Sequence, residues 1–223
     1  TELEIIRQHL ESVSGNVLLC SNDSNLINLI SNDNLEILSN PDTTISDHID
    51  NLLLTKTVDK NKKFDTIIIH NLFEQLKNPE LFAQHLNSIL NDNGTIICSI
   101  SNFSHINNTV NLLIGNIDNN FFHTSRFYDL NNFLLFLNEN NMHTTKLSRI
   151  KQEFSSESMN LDDALIPSQL IDMYQTIPDH DVTRYVFMIG KGKSVSSESL
   201  DFSSQFPKNY LLPKLQEFFD KFI

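Results

Sequence analysis

The sequence predicts an α/β fold: a doubly wound, mostly parallel sheet of seven strands with helices on both faces. Three observations predict it. Short, continuously apolar runs such as Val17-Leu18-Leu19-Cys20 and Thr66-Ile67-Ile68-Ile69 read as strands buried on both sides. Segments with apolar residues at helical spacing separate those runs. The stretch from Phe64 to Asn102 joins two such strands through one helix, the crossover of a parallel sheet.

The elements follow in order. Glu2 to Val13 is amphipathic, with Leu3, Ile6, Leu10 and Val13 on one face, and Gly15 ends it. Asn16 to Cys20 is the first strand, and Asn25 to Ile30 a helix turning Leu26, Leu29 and Ile30 inward. Leu35 to Leu38 is the second strand, closed by Ser39-Asn40-Pro41. Thr43 to Asn51 is a short helix and Leu52 to Leu54 a brief third strand. Asp65 opens the fourth strand. The helix after Pro79 carries Leu81, Phe82, Leu86, Ile89 and Leu90, with Asn93-Gly94 as its expected left-handed end. Thr95 to Ile100 is the fifth strand, Phe103 to Asn116 a helix, and Leu130 to Asn140 another, with Asn141 as its cap. Thr144 to Ile150 and Thr183 to Ile189 are the sixth and seventh strands, with a helix expected over Pro167 to Gln175. Residues 1–192 form the α/β domain. Residues 193–223 are a Ser-rich acidic linker and a helix whose stripe of Leu212, Leu215, Phe218, Phe219 and Phe222 needs covering, by the domain or by a protein partner.

A chain of 223 residues can bury a sizeable core, and its 39% hydrophobic content contains no run long enough to span a membrane. The first residues, Thr-Glu-Leu-Glu, have neither a basic nor an apolar leader character, so a cytoplasmic protein is expected. A net charge of -12 argues against nucleic acid or an anionic membrane as partner. No zinc spacing, P-loop or nucleophile elbow occurs, and no metal is expected. The chain holds 28 asparagines and only 5 glycines, which bears on any ligand loop that depends on glycine.

Phe64-Asp65, Glu74, Leu76, Asn78-Pro79, Gly94, Ser99 and Asn102 stand in an order that resembles the central portion of class I S-adenosylmethionine-dependent methyltransferases. That family reads FD, an apolar run, L-E-H-L-x-(D/N)-P, a G-G turn and an apolar strand ending S-x-P-N. The chain departs from it at Asn71, Gln75, Asp92-Asn93 and Ser101. Ser104-His105-Ile106, Arg126, Phe127 and Asp129-Leu130 are similar to members found with sugar-modifying and surface-polysaccharide machinery. The resemblance covers about Gly15 to Lys191 and implies the Rossmann-like methyltransferase fold. In that fold Cys20 and Cys98 have a strand between them, about 10 Å apart by sheet spacing, so both are expected as free, buried thiols.

A ligand crevice is expected at the carboxyl ends of the strands, formed by Leu19 to Asn25, Ser39 and His70 to Gln75. The family's ammonium-binding acid aligns with Leu19, its three loop glycines with Ser21, Asp23 and Asn25, and its ribose-binding acid with Ser39 or, beyond Pro41, Asp42. Asn71 and Glu74 complete the pocket positions, with Glu74 alternatively capping the helix that follows. Asn and Asp tolerate left-handed geometry, so the loop's shape is expected to survive at about 1 kcal/mol per site. Losing the acid costs on the order of 1.5–3 kcal/mol of binding. His105, His123 and Arg126 flank the expected acceptor side, where a histidine would serve as general base. These substitutions imply a methyltransferase-like protein without ordinary S-adenosylmethionine binding, working as a binding or scaffolding domain alongside glycan-biosynthesis enzymes. The alternative is an O-methyltransferase acting on a sugar or small-molecule hydroxyl. A third reading is another nucleotide-like ligand, met by Asp23 and Asp42.

Overall fold

The computed structural model describes residues 1–10, 15–21, 23–30, 35–38, 62–113, 124–152, 172 and 174–192. Along the chain these form α1 (Glu2–Leu10), β1 (Val17–Cys20), α2 (Ser24–Leu29), β2 (Leu35–Leu38) and β3 (Phe64–His70). A single 3-10 turn (Phe73–Gln75) leads to α3 (Pro79–Ile89) and β4 (Leu90–Ser101). Then come α4 (Ile106–Leu113), α5 (Leu130–Glu139), β5 (Met142–Lys151) and β6 (Val182–Lys191).

The described strands form one six-stranded sheet in the order β2-β1-β3-β4-β6-β5. β2, β1, β3 and β4 run parallel, and β6 inserts antiparallel between β4 and β5. Six strands stand where the sequence predicts seven, because the third, Leu52 to Leu54, lies outside the described residues. So do the helix over Thr43 to Asn51 and the whole C-terminal stripe from Leu212 to Phe222. Of the helix expected over Pro167 to Gln175, residues 172, 174 and 175 are described, and these are helical.

Strand alternation assigns the two faces. Val17, Leu19, Ile68, Ile97 and Val186 share one face and pack with Ile6 of α1 and Leu26 and Ile30 of the α2 region. On the other face Phe187 meets Phe133 of α5 at 4.9 Å, and Phe133 meets Phe73 at 5.4 Å. Phe73 in turn touches Phe82 of α3 at 5.5 Å, edge to face. Helices therefore cover both faces, and each fully buried Ile, Leu or Phe contributes about 1.5–3 kcal/mol of transfer free energy. The register also places Cys20 and Cys98 on opposite sides of Ile69, and both thiols are free and buried.

Two local expectations change. The helix after Pro79 ends at Ile89, not at Asn93-Gly94, because Leu90 already pairs with Phe64 and β4 takes extra residues there. Gly94 does not have a left-handed φ; a Cβ on it would meet Leu90 Cδ1 at 2.7 Å, so the glycine permits close packing. Left-handed geometry does appear at Gly15 (φ +99°) and at the expected cap Asn141 (φ 56°). At Gly15 the bend brings Asn16 N–H to donate to Asp65 Oδ2 at 2.9 Å. Asp65 Oδ1 accepts from Asn91 Nδ2 at 2.5 Å, so the acid that opens β3 ties together both neighbouring strands.

Candidate functional site

Parallel strands β1, β3 and β4 deliver Ser21, His70 and Ser99 to one end of the sheet, and β6 brings Arg184 beside Ser101 at the same end. Polar residues begin where the strands leave the core, so each apolar run ends in a group able to hydrogen-bond. Immediately after β3, Asn71 takes φ 54°, a conformation Asn adopts more readily than other non-glycine residues.

The first helix adds a residue that the sequence gives no reason to place here. Glu2 Oε1 lies 3.2 Å from His70 Nε2 and 3.3 Å from Arg184 NH1, although Arg184 is 182 positions away in the chain. Arg184 also donates to Asn71 Oδ1 and, through NH2 at 3.1 Å, to Ser101 Oγ. Burial pushes the Glu2 carboxyl up. The hydrogen bond from His70, the Arg184 charge and the Ser99 hydroxyl outweigh burial and hold it below its ordinary value of 4.5. An ionised Glu2 accepts from His70 in the tautomer that carries a proton on Nε2, and Ser21 Oγ lies 3.3 Å from Nδ1. Asn71 Nδ2, 3.2 Å from Nε2, makes no hydrogen bond in that tautomer.

Ser21, His70 and Glu2 thus stand in the order of a nucleophile, base and orienting acid. The likeness stops at access. Ser21 is 1% exposed, and its oxygen already accepts Asp23 N–H at 3.0 Å, so it is sealed from any substrate.

The positions matched to the cofactor loop have other occupations. Leu19 is fully buried in the sheet core between Ile37 and Ile68. Asp23 caps α2, accepting Asn25 N–H at 2.8 Å, with an extended φ of -77°. The left-handed non-glycine residues among those described are Asn71, Asn141 and Asp179, so Ser21, Asp23 and Asn25 do not reproduce a glycine loop's backbone. A short capped helix start satisfies the same side chains at lower strain, which is why the expected loop shape is not kept. Ser39 and Asp42 lie outside the described residues.

Glu74 does not cap α3, whose N-cap Asn78 makes no side-chain cap bond. Its carboxylate turns inward, Oε1 accepting Ser101 N–H at 2.5 Å, while Oε2 is buried with no hydrogen-bond partner among the described residues. Its carbonyl accepts from Ser125 N and Arg126 N at 2.7 and 3.1 Å, anchoring the following segment.

The acceptor-side candidates are dispersed. His105 is 3% exposed; its Nδ1 accepts Asn107 N–H at 3.3 Å and its Nε2 donates to Gln152 O at 3.4 Å. Burial pushes its pKa down against the opposing pull of that Gln152 bond and of Asp181, so a neutral, fully engaged ring results. Arg126 forms a bidentate pair with Glu80 at 2.5 and 3.1 Å on the surface. His123 lies outside the described residues. Sequence reasoning missed Glu2 and Arg184, whereas His70 to Gln75 were expected at this crevice. His70 was legible as the first polar residue after an apolar strand; Glu2 and Arg184 carried no signal. Among the described residues no three His, Cys, Asp or Glu side chains group as a metal site, and no helix is long and apolar enough to cross a membrane.

Solved structures share this architecture. A candidate methyltransferase from Bacillus halodurans C-125 is 10% identical, with TM-score 0.54, covering 85% of this chain and 98% of that one. The O-methyltransferase of a Brevibacillus brevis trans-AT PKS multienzyme, in complex with S-adenosyl-L-homocysteine, is 13% identical, with TM-score 0.48, over 85% of this chain and 72% of that one. A SAM-dependent methyltransferase from Archaeoglobus fulgidus is 12% identical, with TM-score 0.46, over 85% and 94%. No protein-family model and no curated protein matches the sequence. At 10% identity the likeness to the Bacillus halodurans structure establishes the Rossmann-like methyltransferase fold and nothing finer.

Proposed function

We propose that this methyltransferase-like chain does not bind S-adenosylmethionine in the ordinary way and serves as a non-catalytic binding domain. The observation that carries the reading is Glu2, whose carboxylate sits between His70 and Arg184 at the strand ends where the fold places its ligand. Two further features support it. The position of the ammonium-binding acid is the buried Leu19, and the loop side chains Ser21 and Asp23 are engaged in internal hydrogen bonds. A missing charged partner alone lowers affinity by about 1.5–3 kcal/mol, roughly tenfold to a hundredfold at 1.4 kcal/mol per decade. The resemblance to sugar-modifying members directs the search for partners toward glycan-biosynthesis enzymes, with the stripe Leu212 to Phe222 as the proposed contact. Isothermal titration of the full chain with S-adenosylmethionine is the test. No saturable binding below the millimolar range is expected, and a micromolar dissociation constant would overturn the reading.

One observation favours a second reading, an active O-methyltransferase on a sugar or small-molecule hydroxyl. Beside Ser101, Glu74 keeps a carboxylate oxygen with no hydrogen-bond partner among the described residues, and that oxygen would accept from a substrate hydroxyl once a movement exposes it. That reading requires Glu2 to withdraw, and it predicts thermal protection by S-adenosylhomocysteine.

A further inference from the structure

We propose that His70 and Arg184 form a binding site for a small monocarboxylate, held in this structure by the Glu2 side chain of the chain's own first helix. The two donors converge on one oxygen, His70 Nε2 at 3.2 Å and Arg184 NH1 at 3.3 Å. Neither depends on Glu2 for its position. Arg184 is also fixed by Asn71 Oδ1 and Ser101 Oγ, and His70 by Ser21 Oγ. With Glu2 gone, a partly desolvated guanidinium and an imidazole N–H would point at an unfilled space, an arrangement complementary to an anion.

The charge nearby selects a singly charged ligand. Glu74 presents its carboxylate to the amide of Ser101, the residue whose hydroxyl holds Arg184, so a dianion such as phosphate meets about twice the repulsion that a carboxylate meets. The site is reachable from the Arg184 side: Arg184 retains 27% of its side-chain exposure and Glu2 16%, while His70, at 6%, lies at its inner end. The occupant is also separable. Glu2 lies in the first turn of α1, a nine-residue helix whose hydrophobic anchor is Ile6, with Leu3, Ile5 and Leu10 partly buried around it. A tethered carboxylate competes as an internal ligand at an effective concentration on the order of millimolar. Removing it raises the apparent affinity for a free carboxylate by the factor with which Glu2 holds the site closed, about tenfold for an intrinsic carboxylate dissociation constant of about 0.1 mM.

The inference rests on the reading that this crevice is not a cofactor site. Micromolar S-adenosylmethionine binding to the wild-type chain would overturn that reading, whereas the following experiment bears on the carboxylate site itself. The wild-type chain and its Glu2→Ala variant are titrated with propionate and with neutral propionamide, following the His70 imidazole and Arg184 Nε signals by NMR. Glu2→Gln replaces the alanine variant if that protein fails to fold. The expected result is saturable propionate binding to the variant, at least about tenfold tighter than to wild type, no response to propionamide, and loss of binding when Arg184→Met is added. Equal affinity in wild type and variant, an equal response to propionamide, or binding that survives Arg184→Met would each overturn the proposal. If the Arg184→Met protein does not fold, the propionate–propionamide contrast still decides.

Discussion

Replacing Glu2 with Gln removes the charge between His70 and Arg184 while keeping the side chain's size. Burial acts to raise the Glu2 carboxyl, and the His70 hydrogen bond, the Arg184 charge and Ser99 together bring it below 4.5. A carboxyl depressed by folding contributes stability that is fully present above its unfolded pKa, and that is lost as pH falls through the lower folded value. Two charge-assisted contacts, at 3.2 and 3.3 Å, set the gross scale. Each is worth about 1.5–3 kcal/mol before the cost of taking the carboxylate out of water, leaving a net of about 1–2 kcal/mol. For a domain of this size that corresponds to a fall in Tm of about 2–8 °C. Urea denaturation of wild type and Glu2→Gln, run from pH 7 down to pH 3, reads the difference directly. It should be near its full value at neutral pH and shrink steadily below about pH 4.5. A difference that stays constant with pH, or none at pH 7, would refute the ionised Glu2 network.

Other perturbations have equally definite outcomes. Phe73→Ala empties the centre of a cluster in which Phe82, Phe133 and Phe136 rings lie 5.4 to 5.6 Å away, and should cost about 3–5 kcal/mol in denaturant unfolding. Gly15→Ala places a Cβ 2.1 Å from Asp65 Oδ2 at a φ of +99°, so it should destabilise by about 2 kcal/mol or more; an unchanged unfolding midpoint would contradict the bend at Gly15. Glu74→Ala leaves Ser101 N–H without its acceptor and should cost about 1–3 kcal/mol, with Glu74→Gln closer to wild type because it retains an acceptor oxygen. Burial pushes the Cys20 thiol up to about 12 and raises Cys98 well above its usual value, so neither should react with iodoacetamide at pH 8 until the protein unfolds.

The strand and helix pattern was legible because burial leaves its periodicity in the sequence. β1, β3 and β4 are runs of apolar residues since both faces of the sheet are covered, and Asn141 announced the left-handed end of α5. Gly94 misled because the same residue serves two purposes. A glycine after a helical pattern suggests a left-handed cap, whereas here the helix had already ended and the missing Cβ makes room for Leu90. The loop after β1 misled differently. Asp23 tolerates left-handed geometry, but its side chain finds a better use as the cap of α2.

By itself the sequence determined the α/β class, the buried strands, the free cysteines and the absence of glycines after the first strand, where the resemblance would place a glycine loop. These are local or periodic properties, written within a few residues of one another. Only the tertiary structure decided which side chains meet at the strand ends. Glu2, His70 and Arg184 meet because a helix at one end of the chain docks against a sheet whose β6 strand returns antiparallel beside β4. Convergence of single polar side chains from distant elements leaves no spacing to read, since each of the three is locally an ordinary residue on a helix or strand end.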